Sequence, residues 1–349
     1  MSDTNRKKRV TLDDIARMAG VSKSTVSRLI ADPESVKEST REAVFRVIAE
    51  TGYSTTGLEA ARLRNPQLSR AVALIAPDIR NPFWGSFAYL IQEQLFQRGY
   101  NLYVFCTGFD PETERRCIRQ VSGSHVAGVI ANSNLYEDEE AARLYGDLNC
   151  PVTFLNRVLP LGRFSAVIQD NFQAGYIATK HLVEHGYRRF VFLAGPMNSP
   201  SVRQRLEGFR AALENSYIPL EPNMVRNGEM SFERGAEEAA FVCRLARSGP
   251  VAVVAANDET AIGLMDACRF SGARVPEDVA VVGFDNISPS ALQSVGLTTV
   301  EQPIREISEA AVEILLQAIK GEIGQKEKIV LQPKLIVRRS SGGVGRAEE

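Results

Sequence analysis

The sequence predicts an all-α N-terminal domain containing a helix-turn-helix, followed by an α/β domain of two doubly wound parallel-sheet lobes. Three observations carry this. Residues 11–53 hold three short amphipathic helical stretches and no β-rich run. From residue 71, short apolar runs alternate with amphipathic helical stretches, the pattern of repeated β-α units. The 349-residue chain leaves about 275 residues for the α/β part, more than one such sheet uses, so two similar lobes are expected.

The elements follow in order. Thr11 can cap a first helix whose Leu12, Ile15, Ala16 and Ala19 share a face, with Asp13 and Asp14 where the helix dipole favours acids. Gly20 supplies the turn, and "VSKSTVSRLI" makes a second helix with Val21, Val26, Leu29 and Ile30 inward. "ADPES" breaks it. A third helix runs over about 39–50 with Val44, Val47 and Ile48 inward, completing a helix-turn-helix. Residues 54–70, rich in Thr, Gly, Asn and Pro, read as a linker. Seven runs beyond it read as strands: 71–77, 101–108, 126–133, 151–156, 189–196, 251–258 and 278–285. They are apolar without alternation, as in sheets covered on both faces. Helices are expected over 82–97, 174–185, 202–215 and 259–271. The predicted organisation is therefore a helix-turn-helix domain over 1–53, a linker over 54–70, a two-lobed domain over 71–342 and a tail over 343–349. The near lobe takes about 71–170 and 302–326; the far lobe takes about 171–300 and 327–342.

A hydrophobic share of 44% supports large cores. No apolar run is long enough to cross a bilayer, and the basic start of the chain has no apolar stretch behind it, so a cytoplasmic protein is expected. The five cysteines lack metal-site spacing and read as free thiols. His181 and His185 share a helix face but have no evident third ligand; they read as surface histidines, and no metal or cofactor is expected. Charge is uneven. Residues 1–70 hold 13 Lys and Arg against 9 Asp and Glu, a net +4, which leaves −5 on the remainder of a chain of charge −1. A basic head on an acidic body suits a polyanion held at one end, although an exposed solubilising tail would look the same.

Five segments in series carry a resemblance: "VTLDDIARMAGVSKSTVSRLI", "VKESTREAVFRVIAETGY", "VIQDNFQAGYIATKHLVEHGYRR", "VAANDETAIGLMDACRFSGARVPEDVAVVGFDN" and "LTTVEQP". In order and spacing the chain resembles the LacI/GalR family of bacterial regulators over nearly its whole length. The resemblance implies a two-lobed domain like the type I periplasmic binding proteins, and a second helix that lies in the major groove of a palindromic double-stranded operator. Lys23, Ser24 and Arg28 can project together to base edges. Ser22, Thr25 and Ser27 are short hydroxyls suited to phosphate oxygens, and Thr11 and Leu12 open the first helix where a phosphate could sit. Helix capping competes for Ser22, and a solvated face for the rest. After Gly52-Tyr53 the linker departs from the family's usual "RPNxLARSL", with Thr55 and Thr56 for Pro and Asn; Leu63 is the best match to its minor-groove leucine and Leu58 the next.

The same resemblance implies a small polar effector, such as a sugar or sugar derivative, bound between the lobes. Position by position it picks out Asp78, Asn81, Phe83, Trp84, Asn156, Asp170, Arg205, Met230, Asn257, Asp285 and Gln302. Carboxylates, amides and a forked guanidinium suit paired hydroxyls, and aromatic faces suit a sugar ring. Capping is the alternative for Asn257 and Asp285, and simple core packing for Phe83 and Trp84. The expected function is a sequence-specific DNA-binding repressor switched by that effector and working as a homodimer. A sugar-binding protein of the periplasmic type would share the lobes but lacks a use for the helix-turn-helix. An enzyme is not expected: there is no Gly-rich phosphate loop, nucleophile arrangement or metal set.

Overall fold

A computed structural model describes residues 10–31, 35–51, 70–124, 126–135, 137–159, 163–322 and 326–342. The linker candidates Leu58 and Leu63, the basic run at 6–9 and the tail lie outside the described residues. The chain falls into two compact units, residues 1–69 with 124–127, and residues 70–123 with 128–349.

The first unit holds α1 (Leu12–Met18), α2 (Lys23–Ala31) and α3 (Glu38–Thr51). Thr11 and Asp14 close a capping box: the Thr11 hydroxyl accepts from the Asp14 amide, and the Asp14 carboxylate accepts from the Thr11 amide at 3.0 Å. Gly20 takes φ +68, which lets α2 leave α1 sharply. Ile15, Ala16, Val26, Leu29, Val36, Val44 and Val47 form the core. Fully buried side chains such as Ile15 and Leu29 contribute about 1.5–3 kcal/mol each.

The second unit carries two six-stranded sheets. The near sheet has β1 (Ala71–Ala76), β2 (Asn101–Cys106), β3 (Gly128–Ala131), β4 (Val152–Leu155), β5 (Ser165–Gln169) and β11 (Lys328–Leu331), in the order β11-β5-β4-β3-β1-β2. The far sheet has β6 (Phe190–Leu193), β7 (Val225–Arg226), β8 (Val251–Ala255), β9 (Val279–Phe284), β10 (Thr298–Glu301) and β12 (Lys334–Ile336), in the order β12-β10-β9-β8-β6-β7. The two orders are the same topology repeated, with every pairing parallel except β10 with β12. Near-lobe helices are α4 (Pro82–Gln97), α5 (Pro111–Gly123), α6 (Asp138–Gly146) and α11 (Ile304–Lys320); far-lobe helices are α7 (Asn171–Glu184), α8 (Pro200–Asn215), α9 (Phe232–Ala246) and α10 (Asp258–Phe270).

Three expectations change. β11 pairs with β5, so residues 328–331 belong to the near lobe and not to the far lobe, as the assignment of 327–342 had it. The last crossing between the lobes therefore lies at residues 332–333 and not at 326–327. β2 is not covered on both faces: it is an edge strand with Tyr103 and Val104 exposed. His181 is no surface histidine: it is 8% exposed and its Nε2 lies 2.8 Å from the Ser341 hydroxyl. Burial, then the neighbouring His185, pull it down to about 4.

Two far-lobe helices approach unusually closely. A Cβ on Gly175 of α7 would overlap the backbone carbonyl of Arg205 on α8, and a Cβ on Gly208 of α8 would overlap that of Phe172 on α7. Reciprocal glycines thus let the two backbones touch. That contact fixes where α8 presents Arg205.

Candidate functional site

In a doubly wound sheet the strand C-termini open onto a crevice. Here nine strand ends from both lobes deliver side chains to one cleft. From the near lobe come Asp78 after β1, Phe109 after β2, Asn132 after β3 and Asn156 after β4. From the far lobe come Ser199 after β6, Met230 after β7, Asn257 after β8, Asp285 after β9 and Gln302 after β10. Helix starts add Asn81, Phe83, Trp84, Ser201, Val202, Arg205 and Glu259. The cleft holds about 630 Å³ of space, its mouth included.

Ten of the eleven sequence-picked cleft residues line this space. Asp170 does not: its carboxylate accepts from the Gln173 amide at 2.8 Å and caps α7. An Asp between a strand and a helix suits both roles, and here the cap claims it. Phe109, Asn132, Ser199, Ser201, Val202 and Glu259 were not foreseen. Glu259 had a signal, since it lies two residues beyond Asn257 at a helix start. Phe109 and Asn132 follow strands that were read, but in loops with no distinguishing motif.

Several lining residues also cap helices, which fixes their orientation. Asn81 Oδ1 accepts from the Phe83 amide at 2.9 Å, and Asn257 Oδ1 from the Thr260 amide at 3.1 Å. Asn156 Oδ1 accepts from the Gln169 amide at 3.1 Å. Phe83 and Trp84 meet edge to face, centroids 5.1 Å apart, and are 6% and 8% exposed, so they are both wall and core.

Arg205 is 4% exposed. Its Nε donates to Asn171 Oδ1 at 3.0 Å and its Nη1 to the Ala256 carbonyl at 2.5 Å; Nη2 lies 3.7 Å from Asp285 Oδ1. The guanidinium also covers the Phe284 ring at 4.6 Å. Burial lowers the Arg205 pKa from its ordinary value, against the opposing pull of Asp285 and Asp258. Burial pushes Asp285 up to about 6, while Arg205 and the Gln302 amide, donating at 2.6 Å, resist. Asp258 behind them is fully buried, takes a 2.6 Å bond from the Thr299 hydroxyl and a 3.0 Å bond from the Ile287 amide, and is raised well above the carboxylate range by burial and by Asp285.

Backbone strain gathers at the same place. Phe109, Asn156 and Asp285 line the cleft at φ +60, +53 and +107. Asn tolerates the left-handed region; the other two sit there at a cost on the order of 1–3 kcal/mol each. The Asp285 loop is held by surrounding bonds: its amide donates to the Val300 carbonyl at 2.9 Å, and Asn286 joins Glu301 and Arg338.

Hydrogen bonds close the cleft. Asn81 Nδ2 of the near lobe donates to Glu259 Oε2 of the far lobe at 2.9 Å. Asn198 of the far lobe donates to the carbonyls of Phe109 and Asn134 at 2.9 and 3.1 Å. Gln169 donates to the Glu301 carbonyl at 3.3 Å.

In the first unit, the surface of α1 and α2 gathers the other predicted residues. Ser22, Lys23, Ser24, Ser27 and Arg28 are exposed, Thr25 is half-buried, and Val26 and Leu29 face the core. The Ser22 hydroxyl caps α2, accepting from the Thr25 amide at 3.1 Å. Thr11 is exposed at the start of α1, while Leu12 packs partly on the core. Lys23 pairs with Asp13 at 2.8 Å, with both side chains more than half exposed. Among the described residues no cluster of three or more potential metal ligands occurs, and no helix is long and apolar enough to cross a membrane.

A ligand cleft on paired strand ends, carried on a chain with a helix-turn-helix, defines the class of ligand-responsive DNA-binding regulators. Comparison with known proteins agrees. Residues 11–56 match the family of bacterial regulatory proteins of lacI type, and residues 179–341 match the periplasmic binding protein-like domain. The transcriptional regulator DegA of Bacillus subtilis is 32% identical over 95% of this chain and 98% of its own length. The Lac repressor dimer, solved with operator and an anti-inducer, superposes with a TM-score of 0.75 at 28% identity, over 96% of this chain and 100% of that one. The regulator CelR in complex with cellobiose gives 0.69 at 30% identity, over 95% and 100%. The chain belongs to the LacI family and is a DNA-binding transcription regulator.

Proposed function

We propose that the cleft binds a small polyhydroxylated effector of carbohydrate type, and that its occupancy sets the affinity of α2 for a palindromic operator. The protein acts as a homodimeric repressor in the cytoplasm. The observation that carries this reading is the convergence of nine strand ends on one cleft, with amides and carboxylates from both lobes. A ligand that bridges Asn81 or Asn156 to Arg205 or Asp285 favours the closed arrangement, and it shifts DNA binding by its differential affinity for the closed and open arrangements. Cellobiose in CelR and the operator under the Lac repressor are the parallels. Arg28, Lys23 and Ser24 are assigned to base edges, and Ser27, Thr25 and the start of α1 to phosphates. Leu63, outside the described residues, remains the assigned minor-groove leucine. Exposed aromatic side chains on the near lobe, Tyr89 at 66%, Phe96 at 75% and Tyr103 at 48%, are assigned to the dimer surface.

Trp84, the chain's single tryptophan, lines the cleft, so its emission reports occupancy. The test has three parts: Trp84 emission and thermal midpoint across a sugar panel, fluorescence anisotropy of an operator selected from random palindromes with and without any sugar that binds, and light scattering of the free protein. A sugar that binds and changes operator affinity is the expected result. Saturable sugar binding with no change in operator affinity would overturn the switch.

A further inference from the structure

The charges of the cleft do not balance. Asp78, Glu259 and Asp285 line it against one lining cation, Arg205. Asp78 is answered from outside by Arg80, whose Nη2 donates to it at 2.6 Å, which holds the Asp78 carboxyl below its usual range. Asp285 has Arg205 and Gln302. Glu259 has neither. Its one hydrogen bond comes from the neutral Asn81 amide, and no described Lys, Arg or His lies within ion-pair distance. Arg80 feels its field but is already forked onto Asp78. The other charged groups facing Glu259 are acids: Asp285 on the β9 loop, Asp78 on the β1 loop and Glu233 on α9. A second group in the same cleft is also incomplete. Gln302 is 4% exposed, its Nε2 is committed to Asp285, and its Oε1 has no donor.

We propose that Glu259 selects an effector carrying a primary ammonium group, an amino sugar rather than a neutral or acidic one. The ammonium supplies the counter-charge that Glu259 lacks, and its N–H groups or the sugar hydroxyls supply a donor for Gln302 Oε1. The aromatic walls Phe83, Trp84 and Phe109 suit a cation-bearing ring. A carboxylate or phosphate ligand would instead meet three acids and a single arginine, whose Nε and Nη1 already bond Asn171 and the Ala256 carbonyl and whose Nη2 faces Asp285. Burial and the like charges of Asp285 and Asp78 push free Glu259 up to about 7. An ammonium stabilises the ionised form, so its binding should strengthen as pH rises through 7.

The inference rests on the cleft being a sugar site, and the test separates the two. D-glucosamine, D-galactosamine, D-mannosamine and 6-amino-6-deoxy-D-glucose are titrated against Trp84 emission beside their parent sugars and N-acetylated forms. The expected result is at least one amine that binds tenfold or more tightly than its parent. For 6-amino-6-deoxy-D-glucose, whose aliphatic amine stays protonated, any such advantage grows between pH 6 and 8. Glu259→Gln, which can still accept from Asn81, should abolish the advantage; Glu259→Asp, which keeps the charge, should retain part of it. Tighter binding of parent or N-acetyl sugars overturns the amine selection and leaves the sugar site standing. An amine preference unchanged in Glu259→Gln removes Glu259 from the selection. No response to any member overturns both readings.

Discussion

The helix-turn-helix head and the cleft are both polar, but they hold their polar groups in opposite ways. On α2 the hydroxyls and cations other than the half-buried Thr25 are exposed, and Lys23 has only an exposed partner. In the cleft Arg205, Asn257 and Gln302 are each under 5% exposed and hydrogen-bonded before any ligand arrives. An exposed ion pair is worth about 0–1 kcal/mol and yields readily to a phosphate. A buried one is held by its surroundings, and removing half of it leaves an unpaired charge. The head can thus lose a side chain and keep its fold, whereas the cleft ties recognition to stability.

The largest effect should come from Arg205→Ala. It strands Asp285, Asn171 and the Ala256 carbonyl, and should lower stability to urea by about 3–5 kcal/mol, together with loss of effector response. A variant as stable as the native chain would erase the contrast. Gly175→Ala comes next: its Cβ must push α7 off the Arg205 carbonyl, at about 1–3 kcal/mol of stability, and should weaken the effector without touching the cleft lining. Unchanged effector affinity would show that the helix contact does not position Arg205. On the head, Arg28→Ala should leave the urea midpoint alone while costing about 1–3 kcal/mol of operator binding per half-site and relaxing one base position. Equal weakening on every DNA sequence would make Arg28 a phosphate contact. The smallest expected signal is a slope. The Glu259 carboxyl is raised to about 7 when folded, so it binds more protons folded than unfolded. Its contribution to stability is full below its unfolded value of about 4.3 and fades as pH rises through 7. Urea midpoints of Glu259→Gln should therefore fall less between pH 5 and 8 than those of the native chain; parallel curves would contradict it.

How much of this the sequence disclosed depended on where the polar groups sit. The head was legible because capping residues and a 3.6-residue period mark short helices: Thr11, Gly20 and the Val26–Leu29 face all fall as read. β1 to β4, β6, β8 and β9 were legible from their apolar runs. β5, β7, β10, β11 and β12 were not among those runs, because they lie at sheet edges or lobe crossings, where polar residues are tolerated. In the cleft, Asp170 and Asn257 show the limit. Both end a strand, both cap the helix that follows, and only three-dimensional placement separates the one that faces the cavity. Glu259 was passed over because an acid in the first turn of a helix already has a dipole to explain it.

The third crossing changes what an occupied cleft can accomplish. Chain passes between the lobes near Asp170, at Gln302 and at 332–333. Three tethers side by side act as a pivot and leave one way for the halves to swing. Gln302 sits on that pivot, and its partner Asp285 lies 2.6 Å away. Little torque can be applied so close to the axis. A fragment that fills only the Gln302–Asp285 corner would occupy the protein without turning it, while a molecule long enough to reach Asn81 pulls on the full lever arm. Truncated effectors should therefore be silent competitors.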